Sequence, residues 1–171
     1  MSRRRFRSLA WTVATTMALS VLVGGSASAH EIDRFKDQRH HIEKRARSQT
    51  GTRYTYGGER PRSGFDCSGF TSWVFRRHGA RLPRTSQDQF KMGSWKKNRR
   101  VWKRKNLKTG DLVFFKTTRA RVGHAGIYVG EGKFISSTSS GGVRVDSVYD
   151  RYYWGKRWVG GARHHSTRAK G

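Results

Sequence analysis

Three scarcities frame this chain of 171 residues. It holds one cysteine, Cys67, so no disulfide can form within the chain. It has no apolar run long enough to cross a membrane. The best, at 9–23, falls short of the about 20 residues a span needs, and Thr12, Thr15, Thr16 and Ser20 dilute it. Acidic side chains are few, 11 against 37 Lys and Arg, which leaves a formal net charge of +26. Such a charge says little about fold but favours a polyanion as neighbour: nucleic acid, an anionic membrane face, or a wall polymer bearing phosphate or carboxylate. The plainer reading is a solvated basic surface that keeps the chain soluble. No internal repeat is visible, which argues against a repeat architecture.

What is present begins with export. Arg3, Arg4, Arg5 and Arg7 form a positive head, the short apolar stretch follows, and Ala27-Ser28-Ala29 supplies small residues for cleavage. That order is the pattern of a secretory signal peptide over 1–29, rather than of a retained anchor. No stable membrane span is then expected after cleavage. For an exported basic chain, an anionic membrane face or a wall polymer bearing phosphate or carboxylate is a more natural neighbour than nucleic acid. Trp95, Trp102 and Trp154 among basic residues suggest nucleic-acid binding only weakly, since no recognisable module accompanies them.

Residues 30–50 form an N-terminal helical segment. Ile32, Phe35, Ile42 and Ala46 lie among charges without Gly or Pro, so a helix with a thin apolar stripe is expected over 31–49. Residues 54–64, YTYGGERPRSG, read as an ordered loop. A stronger helix is expected over 67–78. Asp66 can cap its first turn, Phe70, Val74 and Phe75 form its apolar face, and Gly79 suits a left-handed end. The basic stretch 81–108 lacks a clean period and reads as irregular, with room for one helical turn. Strands are expected over 112–116, 124–129 and 133–138, the last two paired around Gly130-Glu131-Gly132, with weaker ones at 143–145 and 157–162. The segment 164–171 is polar and basic and reads as a disordered tail. Helices first and antiparallel strands after give an α+β domain.

In an exported chain a lone cysteine is a candidate reactive thiol. A thiolate is favoured at a helix N-terminus and beside an imidazolium. Asp66-Cys67-Ser68-Gly69 opens the expected helix, and Gly69 leaves room there for a substrate. Asp66 works against a thiolate through its charge, less so when turned back to cap the backbone. Of the seven histidines, His30, His40, His41, His164 and His165 lie near the ends of the chain that cleavage would leave. His78 sits about 16 Å along the same helix from Cys67. His124 begins an apolar strand after Gly123 and is the best partner. A third group must orient such an imidazole. If Gly130-Glu131-Gly132 is a three-residue loop, Ser136 shares His124's face; if Glu131-Gly132 alone turns the chain, Ser137 does.

These segments resemble the NlpC-type cell-wall peptidases, a branch of the papain-like cysteine peptidases. The resemblance rests on YTYGG (54–58), GFDCSGF (64–70), LPRTSQDQ (82–89), TGDLVFF (109–115), GHAGIYVGEGKFI (123–135) and STSSGGVRV (137–145), in family order. It implies a papain-like α+β fold over 51–163, with the nucleophile's helix packed on an antiparallel sheet. It also implies hydrolysis of amide bonds in peptidoglycan stem peptides, often between D-glutamate and the diamino acid. Cys67 matches the family nucleophile and His124 its general base. Tyr54 matches a tyrosine that helps hold the oxyanion beside the Cys67 N–H. The family's third polar residue, commonly His and sometimes Asn or Gln, falls on Ser136, where this chain has a short, uncharged hydroxyl. The expectation is a secreted, monomeric cysteine peptidase needing no cofactor or metal, with peptidoglycan and anionic wall polymers as partners and no nucleic acid. The rival expectations are a wall-binding protein on a catalytically decayed scaffold, or thioester chemistry on another exported amide.

Overall fold

The computed structural model describes residues 29–167. The expected signal segment lies outside them except for Ala29, and so do residues 168–171. The elements in chain order are α1 (Ala29–Arg47), β1 (Glu59–Arg60), β2 (Gly64–Phe65), α2 (Cys67–Arg76), α3 (Ser86–Met92), β3 (Arg99–Val101), β4 (Leu112–Phe115), β5 (His124–Tyr128), β6 (Lys133–Thr138), β7 (Gly142–Ser147) and β8 (Trp158–Arg163). β3 to β8 make one antiparallel sheet in the order β3-β8-β4-β5-β6-β7. Among the described residues no helix is long and apolar enough to cross a membrane.

The sheet is buried on both faces, which explains why β4 reads as a continuous apolar run. Side chains alternate along a strand, so Leu112 and Phe114 join a core with Phe65, Phe70, Val74 and Phe75 under α2. Val113 and Phe115 instead enter a second core with Phe134, Val148 and Trp154. α1 contributes Ile42 and Ala46 to the first core.

α2 follows the expected plan. The Asp66 carboxylate accepts from the Gly69 N–H at 2.7 Å and caps the first turn. Gly79, at φ 73°, closes the far end, with Gly79 N–H donating to Arg76 and Ala80 N–H to Phe75. That is the double bond of a Schellman ending. Gly69 serves a different purpose from the one expected. A Cβ there would meet the Gly58 carbonyl oxygen at 2.1 Å, so the missing side chain admits the preceding loop rather than a substrate.

Two expectations give way to the structure. The stretch 81–108 is not irregular: it holds α3, β3 and a 3₁₀ turn at Arg104–Asn106. Thr85 caps α3, its Oγ1 accepting from Asp88 N–H at 3.2 Å and donating to Asp88 Oδ2 at 2.7 Å. β3 is an edge strand that buries only Val101, so its Arg residues left no alternation to read. Residues 164–167 are not a loose tail. His164 and Thr167 are buried, and Arg39 on α1 donates to the Thr167 carbonyl at 2.7 Å. Arg163, just before them, is buried and doubly bonded to buried Asp111, both contacts at 2.7 Å. Packing contacts of this kind override composition.

The β5–β6 hairpin pairs Tyr128 with Phe134 and Ile127 with Ile135. Val129 N–H donates to Lys133 and Lys133 N–H to Gly130, so the loop has three residues. Gly132 takes φ 71° and even Glu131 is left-handed at φ 51°. Ser136, not Ser137, therefore shares His124's face.

Candidate active site

Where the start of α2 meets the start of β5, a cleft of about 770 Å³ opens, lined by Tyr54, Cys67, His124, Ser137, Arg144 and Trp154 among others. Three of the four sequence-derived site residues thus come together in one cleft. The fourth, Ser136, is fully buried beneath it.

Cys67 is the first residue of α2 and is partly exposed. Burial of the sulfur pushes its thiol pKa up, and the Asp66 charge adds to that. The backbone N–H groups of Ala125, Ser68 and Cys67 itself favour the thiolate but do not outweigh burial. Asp66 is held below its usual range despite burial, by Arg84 and by the Gly69 N–H.

His124 opens β5 on the second-core face, 7% exposed. Its ring lies 4.8 Å from the Trp154 ring and 6.3 Å from Phe115, and burial lowers its pKa to about 4. Its Nε2 is buried without a hydrogen-bond partner, and so is Ser136 Oγ. The two strands place these residues diagonally on one face, so two unsatisfied polar groups share one small region. Burial thus favours the uncharged form of both groups.

Tyr54 bridges to Phe65 and lines the same cleft. Burial and then the nearby Cys67 raise its pKa, so the hydroxyl keeps its proton and can donate. Ser137 points to the opposite face from Ser136, and its Oγ donates to the Phe65 carbonyl at 2.7 Å, tying β6 to the segment before Cys67.

Sequence reasoning missed Trp154. It is not a nucleic-acid-facing residue: it is buried against His124. Asp150 positions it by accepting from the Tyr153 and Trp154 N–H groups at 2.7 and 2.9 Å. An Asp ahead of an aromatic triplet marks the turn, but nothing local tells which strand the indole covers. The cleft also lacks the basic excess of the chain. Among the described residues Arg144 is the one Lys or Arg lining it, paired with Asp146 at 3.0 Å, and Asp150 lines it too. No cluster of three or more His, Cys, Asp or Glu that could hold a metal ion occurs among the described residues.

Comparison with known proteins agrees with this geometry. Residues 51–163 match the family model described as NlpC/P60 family. The chain is 37% identical over 125 residues to a gamma-DL-glutamyl hydrolase of Bacillus subtilis, covering 71% of this chain and 29% of that protein. It is 38% identical over 118 residues to the murein DD-endopeptidase MepH of Escherichia coli, covering 67% and 42%. The chain therefore spans well under half the length of these curated relatives. The solved structure of the peptidoglycan hydrolase RipB from Mycobacterium tuberculosis superposes with a TM-score of 0.61 at 26% identity, covering 86% of this chain and 75% of that one.

Proposed function

Because the chain belongs to the NlpC/P60 family, we propose that it is a secreted cysteine endopeptidase that hydrolyses amide bonds in peptidoglycan stem peptides. The observation that carries this reading is the single cleft shared by Cys67, His124 and Tyr54, at a helix start and a strand start.

In the proposed mechanism the resting pair is neutral. As the stem peptide enters, His124 takes the proton of Cys67 and the sulfur attacks the scissile carbonyl. The oxyanion is held by the Cys67 N–H and the Tyr54 hydroxyl. The C–N bond then breaks as the imidazolium returns its proton to the leaving amine. Water, deprotonated by His124, hydrolyses the thioester and frees the thiol. Ser136, on the same face of the sheet as the imidazole, is the third residue of this reading, and no cofactor takes part. Trp154 stacks on the ring and limits its rotation.

Digestion of purified peptidoglycan by the chain without its first 29 residues, with mass analysis of the fragments, tests the proposal. Wild type should release stem fragments and Cys67→Ala should not; equal digestion by both would end it. The fragment masses also separate cleavage at the D-glutamyl–diamino acid bond, the finer reading we favour, from cleavage of cross-links. The relatives' names also differ, one being a gamma-DL-glutamyl hydrolase and the other a murein DD-endopeptidase.

One observation favours a second reading, a wall-binding protein with little catalysis: His124 Nε2 and Ser136 Oγ are both buried without partners. Stoichiometric binding to peptidoglycan without fragment release would select it. In either reading the basic surface retains the protein at anionic wall polymers as a monomer. Arg81, Lys96 and Lys97 line a second groove of about 500 Å³ beside exposed Trp95, away from the cleft. Retention of this kind weakens as salt rises.

A further inference from the structure

Asp66 poses an electrostatic problem, because its carboxylate adjoins the proposed nucleophile and opposes a thiolate. Its oxygens are fully engaged. Oδ1 accepts from the Gly69 N–H at 2.7 Å, from Ser68 Oγ at 3.2 Å and from Arg84 Nη1 at 3.2 Å. Oδ2 accepts from the Gly57 N–H at 3.0 Å and from Arg84 Nη2 at 2.5 Å. Arg84 also donates to Ser68 Oγ at 3.0 Å, within the first turn of α2, and its Nε meets Glu59 at 2.6 Å. Arg76 lies 3.6 Å from Glu59. Around the helix start, two carboxylates are thus matched by two guanidinium groups.

Arg84 is not a loose surface side chain. The residue before it, Pro83, has its carbonyl held by Gln89 Nε2 at 2.9 Å and by Ser72 Oγ at 3.3 Å. Gln89 is fully buried and also bonds Thr71 and the Ser68 carbonyl on α2. The residue after it, Thr85, caps α3. The backbone of Arg84 is therefore clamped between two helices, which fixes where its guanidinium reaches.

We infer that Arg84 is a positioning residue that offsets the charge of Asp66, so that Asp66 can cap and orient the start of α2 with a smaller penalty on the Cys67 thiolate. This rests on the reading of Cys67 as nucleophile, but it can be measured with no substrate present. The other titratable or charged groups that line the cleft with Cys67 are Tyr54, His124 on β5, Arg144, Asp146, Asp150 and Tyr153. None of these changes in the variants below.

Cys67 is the sole thiol, so alkylation by uncharged iodoacetamide reports it alone. The rate is followed from pH 5 to 10 in the chain lacking its first 29 residues, with circular dichroism to check folding. Arg84→Gln should raise the midpoint by about one unit, an approximately tenfold slower reaction below both midpoints. Arg84→Lys should recover most of the loss. Asp66→Asn, which can still cap, should lower the midpoint, and the double variant Asp66→Asn, Arg84→Gln should return close to wild type. Should Arg84→Gln fail to fold, Asp66→Asn decides alone. An Arg84→Gln midpoint equal to wild type, a double variant that keeps the full shift, or an Asp66→Asn midpoint that does not fall overturns the inference. Peptidoglycan digestion is a separate assay, so failure of the proposed function remains distinguishable from failure of this inference.

Discussion

At the scale of single residues, the instructive position is 136. The register of one hairpin delivers Ser136 to the imidazole's face, yet the hydroxyl ends short and Oγ makes no hydrogen bond. A buried donor or acceptor left unmade costs more than a typical hydrogen bond returns. Removing Ser136 Oγ should therefore matter little, and lengthening the side chain should help. We expect Ser136→Ala to change kcat by less than about threefold, and Ser136→Asn, whose amide reaches farther, to raise kcat by about tenfold, the worth of one added hydrogen bond. Steady-state kinetics on a soluble stem peptide checks both; a tenfold loss in Ser136→Ala would show that the hydroxyl already acts. Cys67, His124 and Tyr54 could be singled out from sequence because each sits at the boundary of an element or in a family motif. The indole that covers His124 could not, because its contact spans 30 positions and leaves no local periodicity.

At the scale of elements, helix α2 shows how a local rule can mislead. Gly inside a helix costs about 1 kcal/mol relative to Ala, so Gly69→Ala would be expected to stabilise. The loop carbonyl of Gly58, 2.1 Å from where the Cβ would sit, reverses that sign. We expect Gly69→Ala to destabilise by about 2 kcal/mol or more and to lower Tm, by overpacking against backbone that cannot yield; a rise in Tm would refute the steric account. The strands of the sheet's centre were legible because apolar runs and a glycine-rich loop mark them. α3 was harder, since its start signal, Thr85 with Asp88, sits in a run of charges with few apolar residues. β3 had no signal at all, being a cationic edge. The ends of the described chain were misjudged for the opposite reason: His164 and Thr167 look polar but are buried by α1 and by the Arg163–Asp111 pair.

At the scale of the whole molecule, buried histidines should set the response to mild acid, because their loss of stability begins at higher pH than that of a carboxylate held low, such as Asp66. Burial lowers His124 to about 4 and His164 to about 4, against an ordinary value near 6.5. Their folded pKa values are depressed, so between pH 6.5 and 4 the unfolded chain binds protons that the folded chain refuses. Stability is thus complete above about 6.5, declines as pH falls toward 4, and loses nothing further from these groups below that. His124 alone accounts for roughly 3 kcal/mol across the window. Thermal unfolding between pH 7.5 and 4 should show Tm falling through this range, and His164→Gln should flatten part of the fall. A wild-type Tm that stays level from pH 7 to 4.5 would refute it.

The three-residue loop joining β5 to β6 carries a consequence for how this chain can change. It acts as a parity switch: any insertion or deletion of one residue there would exchange odd and even positions along β6. Ser137 would then stand behind the imidazole, the Phe65 carbonyl would lose its donor, and Ile135 and Phe134 would trade cores. Length variation at this tip is tolerable only in steps of two, so the site is guarded by arithmetic at a place that touches no substrate.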